Sequence, residues 1–182
     1  MVMDIVERIL ISEEEIQNRV RELAEQISED YQGKEILLLC ILKGGLMFLA
    51  DLAKHIEVPV SMDFIGISSY GTATQSSGVV RITKDLEESI EGKHVLIIED
   101  IIDSGLTLSY LLNNLSIRKP ASLKICTLLD KQVNREVNIP VDYVGFTVPN
   151  EFLVGYGLDY SELYRNIPYI FVIKSSYYTN DD

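Results

Sequence analysis

Short, almost wholly apolar runs alternate along this chain with stretches whose apolar residues recur every three or four positions. Between Ser12 and Gly33, the residues Ile16, Val20, Leu23, Ala24 and Ile27 share one face at helical spacing. Ser12, with Glu15 three residues later, has the form of a capping box, and Gly33 marks the end of that helix. "EILLLCIL" (35–42) is apolar nearly throughout, as a strand covered on both faces must be. "GGLMFLADLAKHI" predicts a second helix and "PVSMDFIGI" a second strand. "SSYGTATQSSGVVRITKD" is polar and rich in glycine and serine, with strand character only from Val79 to Ile82. "HVLIIED" predicts a further buried strand and "LTLSYLLNNLSIRK" a helix. "SLKICTLLD", "VDYVGFTVP" and "PYIFVI" predict three later strands.

Strands alternating with helices imply an α/β fold, with a mainly parallel central sheet flanked by helices. No internal repeat, low-complexity tract or linker divides the 182 residues, so a single domain over 1–182 is expected. In open sheets of this kind ligands lie beyond the carboxyl ends of the strands. That singles out the segments after Leu42, Ile98 and Leu129.

Charge narrows the classes of partner. The formal net charge of −12 is spread along the chain, which argues against binding to a nucleic-acid backbone, where clustered Lys and Arg are needed. It leaves open a phosphorylated small molecule held by a few local donors. Cys40 and Cys126 lie inside apolar strand-like runs and read as small core residues rather than as a disulfide. No secretory leader pattern precedes the first helix and no apolar run approaches about 18 residues, so neither export nor a membrane is expected, and a cytoplasmic setting is.

The strongest chemical signal is "HVLIIEDIIDSGLTL". An apolar strand runs into Glu99, Asp100 and Asp103, then into Ser104-Gly105-Leu106-Thr107 at the start of a helix. Such a loop offers free N–H groups and hydroxyls to an anion, favoured further by the helix dipole. The local alternative is helix capping by Asp103 or Ser104. Glu99 and Asp100 are costly at the end of a buried strand unless they bind a divalent metal or sugar hydroxyls. A ribose 5-phosphate would satisfy both halves. Neither G-x-x-x-x-G-K-[ST] nor G-x-G-x-x-G after a strand occurs, which sets aside P-loop and dinucleotide sites.

"VLIIEDIIDSGLTL" closely resembles the phosphoribosyl-pyrophosphate (PRPP) signature of the type I phosphoribosyltransferases, in the form used by the hypoxanthine-guanine branch. The resemblance runs from about Ile36 to Ile173. It implies that family's fold, with a small hood formed by about residues 1–15 and 150–168. "ILKGGLMFLADL" resembles the pyrophosphate loop, which implies a cis Leu42-Lys43 peptide with Lys43 and Gly44 at pyrophosphate. Ser69-Tyr70 matches the Ser-Tyr pair of a mobile loop, a lid that excludes water. "LLDKQVNRE" puts Lys131 where the family binds the purine 6-oxo group, a donor that selects against adenine. The same resemblance implies Arg135 near pyrophosphate, although its spacing carries little weight.

"VPNEFLVGYGLDYSELYRNIPYIFVI" matches the family's C-terminal segment. Phe152 corresponds to the aromatic stacked on the base and Leu153 to the residue whose backbone meets its 2-position edge. Asp159 corresponds to a carboxylate associated with a second Mg²⁺, and Arg165 to an arginine at pyrophosphate. Leu106 and Leu153 depart from the commoner residues at their positions without disturbing the pattern. The resemblance therefore implies Mg²⁺-dependent transfer of phosphoribosyl from PRPP to hypoxanthine or guanine, yielding IMP or GMP and pyrophosphate. It assigns Glu99, Asp100 and Asp159 to metal, Asp103 as base, and Asp103 to Thr107 to the 5-phosphate. A homodimer or homotetramer is expected by the same resemblance. A regulator that senses PRPP while binding RNA or DNA is the rival, and the absence of a basic face in the sequence weighs against it.

Overall fold

Two sheets contain all the named strands of the computed structural model, which describes residues 4–69 and 80–178. The larger holds β2 (Ile36–Leu42), β3 (Val60–Ser69), β4 (Val80–Lys84), β5 (His94–Ile102), β6 (Ser122–Asp130) and β7 (Tyr143–Thr147). Their spatial order is β4-β3-β2-β5-β6-β7, with every neighbouring pair parallel except the edge pair β3–β4. Helix α2 (Leu46–His55) leads from β2 to β3 in one direction, and α3 (Leu106–Ser116) leads from β5 to β6 in the other. The order therefore reverses between β2 and β5, and a ligand crevice belongs at the carboxyl ends of those two strands.

Period-two alternation along β2 and β5 divides the core. Leu38, Cys40, Leu96 and Ile98 pack with α1 (Glu13–Asp30) and α2, through Ile16, Val20, Leu23, Ile27, Phe48 and Leu52. Leu37, Leu39, Ile41, Val95 and Ile97 face the other way, toward Leu108, Leu111 and Leu115 of α3. Both faces of the central strands are covered, which is why their sequences carry almost no polar residue. The capping box forms: Ser12 Oγ accepts from Glu15 N, and Glu15 Oε2 accepts from Ser12 N at 2.8 Å.

Two features depart from the sequence reading. Glu99 and Asp100 lie within β5 rather than at its end, because β5 continues to Ile102 alongside β6. Its pairing with β2 stops earlier, at Cys40–Ile98. Beyond Ile98 one flank of β5 is open, and the two acids are at that opening. The second sheet is antiparallel, in the order β1 (Val6–Ile11), β9 (Ile170–Ile173), β8 (Leu153–Val154). Its central strand, β9, thus comes from beyond residue 168, and β1 is a strand where the sequence pattern predicts none. Cys40 and Cys126 are buried free thiols, and no helix among the described residues is long and apolar enough to cross a membrane.

Candidate active site

Three backbone segments meet at the reversal of strand order. Leu42-Lys43 is a cis peptide, and Gly44 follows it against the open flank of β5. A Cβ at Gly44 would overlap the Asp100 carboxylate, and one at Gly157 would overlap the Gly44 carbonyl. The chain is thus layered, with Gly157 on Gly44 and Gly44 on Asp100. Only glycine allows that approach, and Gly157 also has φ +100°.

Glu99 and Asp100 are half-buried and adjacent. Asp100 Oδ1 accepts from Ile101 N at 2.8 Å, and Glu99 Oε1 from Asp100 N at 3.2 Å. Burial, reinforced by the Asp100 charge, pushes Glu99 well above the ordinary carboxylate range. Burial also raises Asp100, partly opposed by its backbone hydrogen bond and the Arg165 charge. Two carboxyls held this way favour a bound cation, which would let both ionise. Mg²⁺ commonly takes one or two protein carboxylates and completes its shell with water and substrate oxygens. The pair fits that pattern, although no cluster of three His, Cys, Asp or Glu groups occurs among the described residues.

Raised carboxyls bind protons more tightly folded than unfolded, so they erode stability as pH climbs from the ordinary value through the folded one. Replacing both, with Glu99→Gln and Asp100→Asn, should raise the metal-free melting temperature at pH 8 by about 2–4 °C per kcal/mol relieved. The gain should shrink toward pH 4. Thermal melts of both proteins across that range check this, and equal Tm values at pH 8 would contradict it.

Beside the pair, Glu99, Asp103, Ser104, Gly105 and Thr107 line a cleft of about 230 Å³. Gly105, at φ +83°, is the N-cap of α3, and no side chain caps that end. Capping by Asp103 or Ser104 is thereby set aside, Ser104 Oγ reaching only Leu106 N at 3.3 Å. Apart from that of Leu106, the first-turn N–H groups keep their capacity for an anion.

A second cleft, of about 320 Å³, is lined by Glu7, Asp103, Lys131, Asn134, Glu151, Phe152 and Tyr178, among others. Lys131 is only 9% exposed. Its Nζ donates to the Glu151 carbonyl at 3.0 Å and lies 3.6 Å from Asp103 Oδ2. Phe152 is 40% exposed, so it is not a core residue, whereas its neighbour Leu153 is buried in β8. The Phe152 ring stacks on Tyr178 with centroids 5.3 Å apart. Tyr178 carries no signal in the sequence, since it follows Tyr177 in a stretch with no recognisable motif. Asp103 lines both clefts.

Arg165 and Lys43 lie on the hood side. Arg165 donates from Nη1 to the Gly157 carbonyl at 2.7 Å and from Nη2 to Asp159 Oδ1 at 2.9 Å. Asp159 is therefore engaged by Arg165 and, through Oδ2, by Glu162 N. Lys43 Nζ meets Glu162 Oε2 at 2.5 Å. Arg135, expected near pyrophosphate, instead braces the loop from behind: Nε donates to the Asp103 carbonyl at 3.0 Å, and Nη2 pairs with buried Asp130. Ser69 is the last residue of β3, while Tyr70 falls outside the described residues.

The sequence and fold that build this arrangement at the topological switch are shared with known proteins. The model of the phosphoribosyl transferase domain matches residues 11–161, and the chain belongs to that family. A hypoxanthine-guanine phosphoribosyltransferase from Bacillus subtilis is 56% identical over 173 residues, covering 95% of this chain and 96% of the relative. A hypoxanthine-guanine-xanthine phosphoribosyltransferase from Tritrichomonas foetus is 48% identical over 179 residues, covering 98% and 97%. The crystal structure of a hypoxanthine phosphoribosyltransferase from Staphylococcus aureus superposes with TM-score 0.95 at 50% identity, covering 99% of this chain and 98% of that one.

Proposed function

We propose that the chain transfers 5-phosphoribosyl from PRPP to N9 of hypoxanthine or guanine, giving IMP or GMP and pyrophosphate, as a cytoplasmic purine-salvage enzyme. The observation that carries this reading is the position of Asp103, shared by a phosphate-suited cleft and a cleft bearing Lys131 and Phe152.

The loop from Asp103 to Thr107 holds the 5-phosphate through its main-chain donors and the Ser104 and Thr107 hydroxyls. Glu99 and Asp100 take the ribose hydroxyls and Mg²⁺, whose charge, when bound, eases departure of pyrophosphate. Lys43, the Gly44 backbone and Arg165 receive the pyrophosphate. Asp159, given to a second Mg²⁺ by resemblance, acts here through its grip on Arg165. Phe152 stacks on the purine, the Leu153 backbone meets its edge, and Lys131 donates to the 6-oxo group. As carbon 1 of the ribose gains positive character, the paired acids supply a complementary field. Asp103 accepts the N7 proton as N9 attacks. Ser69 and Tyr70 belong to the lid, and the chain works as a homodimer or homotetramer.

The deciding assay mixes the protein with PRPP, Mg²⁺ and hypoxanthine, guanine, xanthine or adenine in turn, and measures nucleotide. No product with hypoxanthine or guanine would overturn the proposal. Lys131→Ala should raise KM for hypoxanthine about tenfold or more, the scale of a lost charged hydrogen bond, and should relax discrimination against adenine. Unchanged hypoxanthine and guanine kinetics would remove Lys131 from base recognition.

A further inference from the structure

Glu162 spans the two cations just assigned to pyrophosphate. Its Oε2 lies 2.5 Å from Lys43 Nζ, and its Oε1 lies 3.5 Å from Arg165 Nη2. The cations come from distant parts of the chain, so a single carboxylate ties the β2–α2 loop to the hood. Arg165 also keeps a buried Nε with no hydrogen-bond partner, an unmet demand for an acceptor at the same place.

The backbone shows that this carboxylate is held there against local preference. Tyr160 and Leu163 pair across a tight turn, with N···O distances of 3.2 and 3.0 Å. The two residues between them, Ser161 and Glu162, both have positive φ, at 52° and 66°. Two-residue turns with that pattern strongly favour Asn-Gly or Asp-Gly. A glutamate in the second position is a poor choice for the turn and a useful one only for its side chain. Asp159 Oδ2 fixes the Glu162 N–H at 2.9 Å and completes the positioning.

We propose that Glu162 is a tethered counter-anion: it bridges Lys43 and Arg165 in the free protein and yields them when pyrophosphate binds. The proposal rests on the reading of those two cations as the pyrophosphate site. In turnover Glu162 competes with the departing pyrophosphate for its partners and so sets how firmly that product is retained. Because the Lys43–Glu162 pair is well exposed, the competition is mild and the effect is a matter of a few-fold.

The test measures binding of inorganic pyrophosphate in Mg²⁺ buffer by calorimetry, with hypoxanthine KM and Tm recorded on the same proteins. Glu162→Gln and Glu162→Gly should both bind pyrophosphate about two- to fivefold more tightly than wild type, the range exposed ion pairs span. Hypoxanthine KM should not change. Glu162→Gly should melt no lower than wild type, since glycine suits the turn. Glu162→Asp keeps the charge but is too short to bridge, and should bind nearly as tightly as Glu162→Gln. Unchanged or weaker pyrophosphate binding in Glu162→Gln and Glu162→Gly would overturn the proposal. So would Glu162→Asp behaving as wild type, which would reduce the effect to net charge. Failure of wild type to bind pyrophosphate at all would instead overturn the assignment of Lys43 and Arg165, and the bridge with it.

Discussion

Asp103→Asn is expected to lower kcat by about 10²–10⁴-fold, the usual contribution of a positioned general base, while KM for PRPP stays within a few-fold. The asymmetry follows from where each part of the residue is used. Its main chain is fastened by Arg135, which donates to the Asp103 carbonyl, and an amide side chain leaves that bond intact. The Ser104–Thr107 backbone therefore keeps its shape for the phosphate. The side chain projects toward the base cleft, 3.6 Å from Lys131 Nζ, where an amide cannot take a proton. Steady-state kinetics in both substrates check this. Equal losses in turnover and PRPP binding would mean a structural role, and no loss would mean that the proton leaves by another route.

Gly157→Ala should be severely damaging to both stability and activity. The left-handed φ of +100° alone costs on the order of 1–3 kcal/mol for a residue with a Cβ, or about 2–12 °C in Tm for a domain of this size. The added methyl must also displace the Gly44 carbonyl, and with it the loop that presents Lys43. Misplacement by about an ångström can cost about 100-fold in rate, so kcat/KM for PRPP should fall on that scale. Gly33→Ala is the control: φ is +75°, yet nothing lies within 4 Å of the would-be Cβ. It should lower Tm and spare PRPP kinetics. If both variants melt lower but Gly157→Ala keeps its PRPP kinetics, the stacking of Gly157 on Gly44 has no part in the site.

The sheet and its helices were legible because burial on two faces leaves a plain mark on sequence. β2, and β5 from Val95 to Ile98, must be apolar at every position, and α1 must be apolar at helical spacing. The hood left no such mark. β1, "VERILI", is mostly exposed or half-buried, and β8 has only two residues, too few for any periodicity. The signature from Glu99 to Thr107 could be read because chemistry and chain order coincide there. Glu162 and Tyr178 could not, since each matters through a partner far away in sequence, Lys43 in one case and Phe152 in the other. "GYG" at 155–157 did hold a signal: two glycines flanking a buried tyrosine mark a backbone that must pass close to something. What it passes is given only by the fold.

The shared position of Asp103 also bears on how such a protein can change over time. Everything on one side of it, from Glu99 to Thr107, is one unbroken stretch of chain anchored in the central sheet. The other side is assembled piecemeal from separate segments, among them Lys131, Glu151, Phe152 and Tyr178. Phe152 and Tyr178, both substantially exposed, can be exchanged without repacking either half of the core. Under the proposed function, the half given to the sugar phosphate is one continuous segment, while the half given to the base can be altered one residue at a time.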